Sequence, residues 1–228
     1  MVFLHGWQSE GLVWQNIARQ LAKQEFRIYL LDLPGFGGST LPKIPFCVKD
    51  YCDIAANFAK RTGLEKIILI GHSFGGRIAI KLAAEQPELV KKLMLVDADG
   101  LRVNNRSGGA VGFLAKLAKP FFRPRFMQGL RRKIYRALGS ADYIESGALR
   151  ETYLKITSED LSDYLPKIEQ PTLIVWGEND QETPLKMAKI MQAKIPNSQL
   201  KIIKNAGHFS FLDQPPNFYN LLLDFLKP

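Results

Sequence analysis

The chain has 228 residues, a length that fits one α/β domain with an insertion, and its 46% hydrophobic and 23% charged content is ordinary for a soluble globular protein. No apolar run approaches the ~18 residues of a membrane span, and the start, Met1-Val2-Phe3-Leu4-His5, lacks the basic region and apolar length of a signal peptide. Two cysteines, Cys47 and Cys52, make neither a disulfide framework nor a zinc site, so free thiols in a reducing cytoplasm are expected.

Met1 to Leu4 is an apolar strand fragment followed by His5-Gly6-Trp7. Gly6 allows a sharp turn at the strand's C-terminal end, which leaves the Trp7 amide to point at a neighbouring site. His5 is read as a structural histidine bracing that turn. Leu12 to Lys23 has helical spacing, with Val13, Ile17, Ala18 and Leu21 on one face. Arg27 to Leu31 reads as a buried strand ending in Asp32-Leu33-Pro34-Gly35-Phe36-Gly37-Gly38-Ser39. Proline and three glycines in five residues dictate a tight loop there, with Asp32 holding turn backbone. This loop lacks the phosphate-binding spacing G-x-x-x-x-G-K-[ST]. Lys49 to Thr62 is the next helix.

Lys66-Ile67-Ile68-Leu69-Ile70 is a strand rich in β-branched residues. It meets Gly71-x-Ser73-x-Gly75 and continues into a helical run through Ala84. A strand that becomes a helix within about three residues forces the central residue into a strained conformation, and the flanking glycines relieve the crowding. The hydroxyl of Ser73 is thereby lifted clear of the strand end, and the helix's first amides point at whatever it attacks. The alternative is that Ser73 merely caps the helix. Val90 to Val96 is a further strand, ending in Asp97-Ala98-Asp99-Gly100.

From Leu101 to about Pro166 strand patterns give way to helical ones. An insertion of this length is too long for a loop, so residues 101–165 are expected to form a helical cap over the strand C-termini, between core segments 1–100 and 166–228. Its aromatics, among them Phe113, Phe121, Phe122, Phe126, Tyr135, Tyr143 and Tyr153, are expected mostly to pack the cap onto the core. The net charge is +9, and between Lys116 and Arg136 stand eight basic residues and no acidic one. This run is read as a solvated helix face, with a docking surface for an acidic partner or an anionic substrate end as the functional alternative. No nucleic-acid motif accompanies it.

Pro171 to Trp176 restores the strand pattern and runs into Gly177-Glu178-Asn179-Asp180, with Pro184 placed to start a helix through Ala193. Leu200 to Ile203 alternates like an edge strand and delivers Asn205-Ala206-Gly207-His208. Pro215 and Pro216 open a closing helix, Phe218 to Leu226.

Three polar groups thus lie beyond strand ends in the order Ser73, Asp180, His208. A serine hydroxyl needs a base within hydrogen-bond reach, and histidine suits that task near neutral pH. The chain has only three histidines. His5 precedes the serine, and strand alternation turns His72 away from it. His208, on a loop preceded by glycine, is the expected base. Asp180 is the chosen carboxylate to orient its ring, while Glu178, Asp97 and Asp99 stand where a carboxylate could also reach it.

His5-Gly6-Trp7, Asp32-x-Pro34-Gly35-x-Gly37-x-Ser39, Gly71-His72-Ser73-Phe74-Gly75-Gly76, Gly177-x-x-Asp180 and Gly207-His208 span nearly the whole chain. In this order they resemble the capped, serine-nucleophile members of the α/β-hydrolase superfamily. The resemblance implies a mostly parallel sheet flanked by helices and a triad of Ser73, Asp180 and His208. It also implies an oxyanion hole from the amides of Trp7 and Phe74, and neither metal nor organic cofactor. Relatives with an aspartate nucleophile are disfavoured because position 73 is serine. Family members usually carry two antiparallel strands before the strand ending in His-Gly. Here that strand begins at Met1, so the chain is either a fragment or a shortened form, and a sheet without those strands has an exposed edge open to aggregation or homodimerisation.

The expected activity is that of a cytoplasmic serine esterase, carboxylesterase- or lipase-like, acting on a small acyl compound through an acyl-enzyme. The basic cap would suit an anionic or carrier-bound substrate, as in the carboxylesterases of biotin synthesis. Carbon–carbon bond hydrolases and cofactor-free haloperoxidases are the alternatives with similar elbows. A non-catalytic ligand-binding module on the same fold is the alternative of another class.

Overall fold

The computed structural model describes residues 1–24, 26–102 and 147–227. Among the described residues, six strands form one sheet: β1 (Val2–Leu4), β2 (Tyr29–Leu31), β3 (Ile67–His72), β4 (Val90–Val96), β5 (Thr172–Gly177) and β6 (Ser198–Ile203). All neighbours pair in parallel, in the order β2-β1-β3-β4-β5-β6. The described helices are α1 (Gln15–Ala22), α2 (Val48–Arg61), α3 (Phe74–Glu85), α4 (Arg150–Ser158), α5 (Leu185–Lys194), α6 (Ser210–Asp213) and α7 (Pro215–Leu226). Residues 103–146, which hold most of the expected cap, its basic run and all but one of its singled-out aromatics, lie outside the described residues.

Parallel strands joined by helices are buried on both faces, so side-chain alternation decides which layer each residue joins. Leu69, Leu93, Leu95, Ile174 and Trp176 face a core shared with α2, α3 and α5. Their neighbours Ile70, Met94, Leu173 and Val175 face the second core, built with Ile17 and Leu21 of α1 and Phe218 and Leu222 of α7. Each such side chain contributes about 1.5–3 kcal/mol on full burial. β6 is half-exposed and alternating, as an edge strand should be.

Three boundaries differ from the sequence pattern, each for a local reason. The first helix opens as a 3-10 turn, Gly11–Trp14, whose buried Trp14 stacks on Phe211 at 3.9 Å. β2 pairs over only three residues, because β1 beside it offers three. Pro184 is the residue before α5 rather than its first, with an extended ψ of 142° that directs the chain into the helix.

The strand order reverses at β1 and β3. The chain leaves β1 toward β2 on one side and resumes at β3 on the other, with Leu4 paired to Gly71. Ligands of open parallel sheets bind at the C-terminal ends of the strands flanking such a reversal. Here those ends are His5-Gly6-Trp7 and His72-Ser73.

Candidate active site

Ser73 follows β3 directly and precedes α3, with φ 50° and ψ −112°. A non-glycine residue in this region is strained and persists only where its surroundings impose it. They do so here: the Ser73 amide donates to the Val96 carbonyl, and the Ser73 carbonyl accepts from the amides of Gly76, Arg77 and Asp99. The Ser73 side chain makes no capping bond to α3, so the reading of a plain helix cap does not hold. A Cβ on Gly75 would lie 2.5 Å from the Leu4 carbonyl oxygen, so only glycine lets the elbow settle against β1. On the other side, a Cβ on Gly6 would stand 3.3 Å from Ser73 Cβ and 3.0 Å from His72 Nδ1. The loop carrying Trp7 therefore runs in contact with the serine. Phe74 is the first residue of α3, where an amide has no acceptor within its own helix. Trp7 packs edge to face on both Phe36 and Phe74 beside it, and Tyr153 of α4 closes on Trp7 at 5.2 Å between ring centroids.

His208 lies on the loop after β6, and its Nδ1 donates to Asp180 Oδ2 at 2.9 Å. Asp180 is well prepared for this. Its Oδ1 accepts from the amides of Glu182 and Thr183, and its Oδ2 from the Thr183 hydroxyl at 2.6 Å. Burial acts to raise the Asp180 carboxyl, but the bond and charge of His208 and the Thr183 donors outweigh it and hold it below the usual carboxylate value. Burial likewise works against a charged His208, yet Asp180, then Glu182 and Asp97, raise its pKa above 6.5. The second ring nitrogen, Nε2, has the Glu182 carboxylate at 3.4 Å.

Among the three histidines, the other two are structural. His5 Nδ1 donates to the Gly6 carbonyl at 2.7 Å while its Nε2 accepts from the Leu33 amide, which braces the turn as expected. His72 does turn away from the serine, but toward a task the sequence did not disclose. Its Nε2 donates to the His208 carbonyl at 2.8 Å, tying the histidine loop to the residue next to Ser73. Burial, with the neighbouring His208, pushes His72 down to about 3, so it stays neutral.

The other carboxylates are spoken for. Asp97 accepts from the Gly177 amide and from the Ser210 amide and hydroxyl, joining the ends of β4, β5 and the histidine loop; burial pushes it up to about 7. Asp99 takes the Nε and Nη2 of buried Arg77, whose Nη1 donates to the carbonyls of Ile156 and Glu159. Arg77 thereby fastens the end of α4 to α3. Glu178 meets the Asn205 amide at 3.4 Å. Asp32 accepts from the amides of Gly11 and Gly38, as its loop demanded. Thr183 and Ser210 were missed. The Asp-x-x-Thr spacing before Pro184 was the available signal for Thr183, and nothing local marks Ser210. Among the described residues, no group of three or more His, Cys, Asp or Glu side chains is gathered to hold a metal ion. No described helix is long and apolar enough to cross a membrane.

A parallel sheet with a strained serine elbow at its point of reversal defines a class, and comparison with known proteins agrees. The chain belongs to the alpha/beta hydrolase fold family, whose model matches residues 1–143 and 151–215. It is similar to the pimeloyl-[acyl-carrier protein] methyl ester esterase of Nitrosomonas europaea, at 28% identity over 96% of this chain and 92% of that one. It is also similar to a 2-hydroxy-6-oxononadienedioate/2-hydroxy-6-oxononatrienedioate hydrolase of Pseudomonas putida, at 29% identity over 100% of this chain and 87% of that one. Among solved structures, an esterase from Exiguobacterium antarcticum superimposes with a TM-score of 0.79 at 25% identity, covering 100% of this chain and 91% of the other.

Proposed function

We propose that the protein is a serine hydrolase that cleaves a carboxylic ester or related acyl compound. The observation that supports this most is the 2.9 Å bond from His208 Nδ1 to a carboxylate held by three further donors, on a loop tied through His72 to the strained serine. Ser73 Oγ attacks the acyl carbon as His208 Nε2 takes its proton. The carbonyl oxygen becomes an oxyanion, held by the amides of Trp7 and Phe74. His208 returns the proton to the leaving alcohol, and the alcohol departs. A water, deprotonated by His208, then attacks the acyl-enzyme, and Ser73 leaves with the proton. Asp180 fixes the ring's tautomer throughout.

The segment 101–165 is proposed as a cap that shapes the acyl pocket, which the contact of Tyr153 with Trp7 and the Arg77 fastening support. A small acyl substrate, free or carried on a protein, is in keeping with the similarity to the pimeloyl-[acyl-carrier protein] methyl ester esterase. A second reading, cleavage of an activated carbon–carbon bond by the same groups, rests on the similarity to the Pseudomonas putida hydrolase. The test is a panel of p-nitrophenyl esters of increasing acyl length beside a vinylogous 1,5-diketone acid. Ester turnover that disappears in Ser73→Ala is expected. Turnover of the diketone alone would favour the second reading, and turnover of neither would speak for a binding module.

A further inference from the structure

His208 is flanked by carboxylates at both ring nitrogens, and only one of them belongs to the triad. Asp180 takes Nδ1 from within the protein, with its side chain wholly buried. Glu182, two residues further along the same loop, reaches Nε2 at 3.4 Å from the solvent side, its side chain 64% exposed. Nε2 is the nitrogen that must receive the Ser73 proton. With Nδ1–H committed to Asp180, a neutral ring turns a bare lone pair toward the Glu182 carboxylate, and two acceptors face each other. A protonated ring turns an N–H toward it, and both carboxylates are satisfied.

We infer that Glu182 is a positioning residue that holds the resting base as imidazolium and competes with Ser73 for Nε2, thereby setting the lowest pH at which the protein works. This rests on His208 being the base proposed above. The position of Glu182 is set by the turn that makes Asp180 effective: the Glu182 amide donates to Asp180 Oδ1 at 2.8 Å, which carries the Glu182 side chain round to the other edge of the ring. Among the described residues, the remaining titratable groups facing His208 are Asp97, beyond β4, and His72, at the end of β3. Asp97 is engaged by Gly177 and Ser210, and neutral His72 meets only the His208 carbonyl through Nε2, so neither contests the reacting nitrogen. Glu182 does, and because it is exposed it can swing aside as substrate enters.

The effect is modest in size and distinctive in form. An exposed ion pair changes an equilibrium constant by about 1.5- to 5-fold. Glu182→Gln keeps the length and the backbone donor but removes the charge. At pH values below the wild-type midpoint, its labelling by a neutral fluorophosphonate should therefore be faster by about that factor. Above the midpoint it should be equal or slower, since a less basic imidazole accepts a proton less well. The two pH profiles should cross, and raising the ionic strength should move the wild type toward the variant. A loss of packing alone would lower the whole profile without moving it.

The experiment follows the His208 ring by NMR across pH in wild type and Glu182→Gln, alongside the labelling rates, with Glu182→Asp as a shortened carboxylate. Titration of the ring at lower pH in Glu182→Gln, with Glu182→Asp between, is the expected result. An unchanged ring titration overturns the inference, whatever the labelling does. A shifted titration in a protein that the probe never labels would uphold the hold of Glu182 on His208 and count against the hydrolase reading alone.

Discussion

Asp180→Asn isolates the carboxylate that the fold has prepared for His208. The amide is the same shape, so its oxygen can keep the bonds from the Glu182 and Thr183 amides. Its nitrogen then replaces Oδ2 and confronts two donors, His208 Nδ1–H at 2.9 Å and the Thr183 hydroxyl at 2.6 Å. Thr183 has a way out, because the Asp97 carbonyl lies 3.1 Å away to accept its proton. His208 keeps only a long alternative, the Thr183 hydroxyl oxygen 3.3 Å from Nδ1, so the favoured arrangement makes Nδ1 the acceptor and moves the ring proton to Nε2. The base is then blocked at the nitrogen meant for Ser73. Misplacing the ring proton of a serine–histidine–aspartate triad costs about four powers of ten in rate, about 5 kcal/mol at 1.36 kcal/mol per decade. The ground-state fold loses less, about 1.5–3 kcal/mol for a hydrogen bond to a charged group. The assay is the second-order rate of fluorophosphonate labelling, read with circular dichroism and urea midpoints on the same samples. A folded Asp180→Asn protein labelled at the wild-type rate would refute the assignment, and it would do so decisively if Asp97→Asn or Asp99→Asn abolished labelling instead.

Gly75→Ala would drive a methyl to 2.5 Å from the Leu4 carbonyl oxygen and 2.8 Å from that of His5, both main-chain atoms that cannot rotate aside. A loss of at least about 1–3 kcal/mol is expected in urea denaturation, and wild-type stability would contradict it. Arg77→Met releases Asp99 and the Ile156 and Glu159 carbonyls together, so a loss of about 3–5 kcal/mol should appear in the same measurement. The pH dependence carries a sign that can be checked. A base must be neutral, so the rate falls as pH drops through the raised pKa of His208, with a midpoint above 6.5. The stability that the protonated ring contributes is full below 6.5 and is lost as pH rises through the folded value. Asp97, raised to about 7, acts in the same direction between 3.8 and 7, because the folded state holds its proton longer. Tm should therefore decline across the window in which kcat/KM rises, and a parallel rise of both would contradict the assignment of these groups.

What was legible in the sequence was what local pattern encodes. The apolar runs of β3, β4 and β5 marked them as buried strands, and in the structure Leu69 and Ile70 join opposite cores. The glycines around Ser73 announced a turn that only close backbone contact requires, and the structure supplies the contact with Leu4. His208 stood out because the chain has so few histidines and this one follows glycine at a strand end. The choice among Asp97, Asp99 and Asp180 was not decidable from pattern, since all three follow buried strands. What separates them is the path of each loop: Asp97 is drawn down to Gly177 and Ser210, Asp99 sideways to Arg77, and Asp180 up to the ring. His72 bracing a carbonyl 136 residues away leaves no local trace at all. Glu182 was passed over for a similar reason, because only the tight turn at Asp180 brings its carboxylate round to Nε2.

The most direct measurement is the intact mass of the protein after a fluorophosphonate, with the adduct mapped by peptide sequencing. One adduct on Ser73, absent in Ser73→Ala and slow to form in His208→Ala, is the predicted result. A folded protein that stays unlabelled, or one labelled equally in Ser73→Ala, would contradict it.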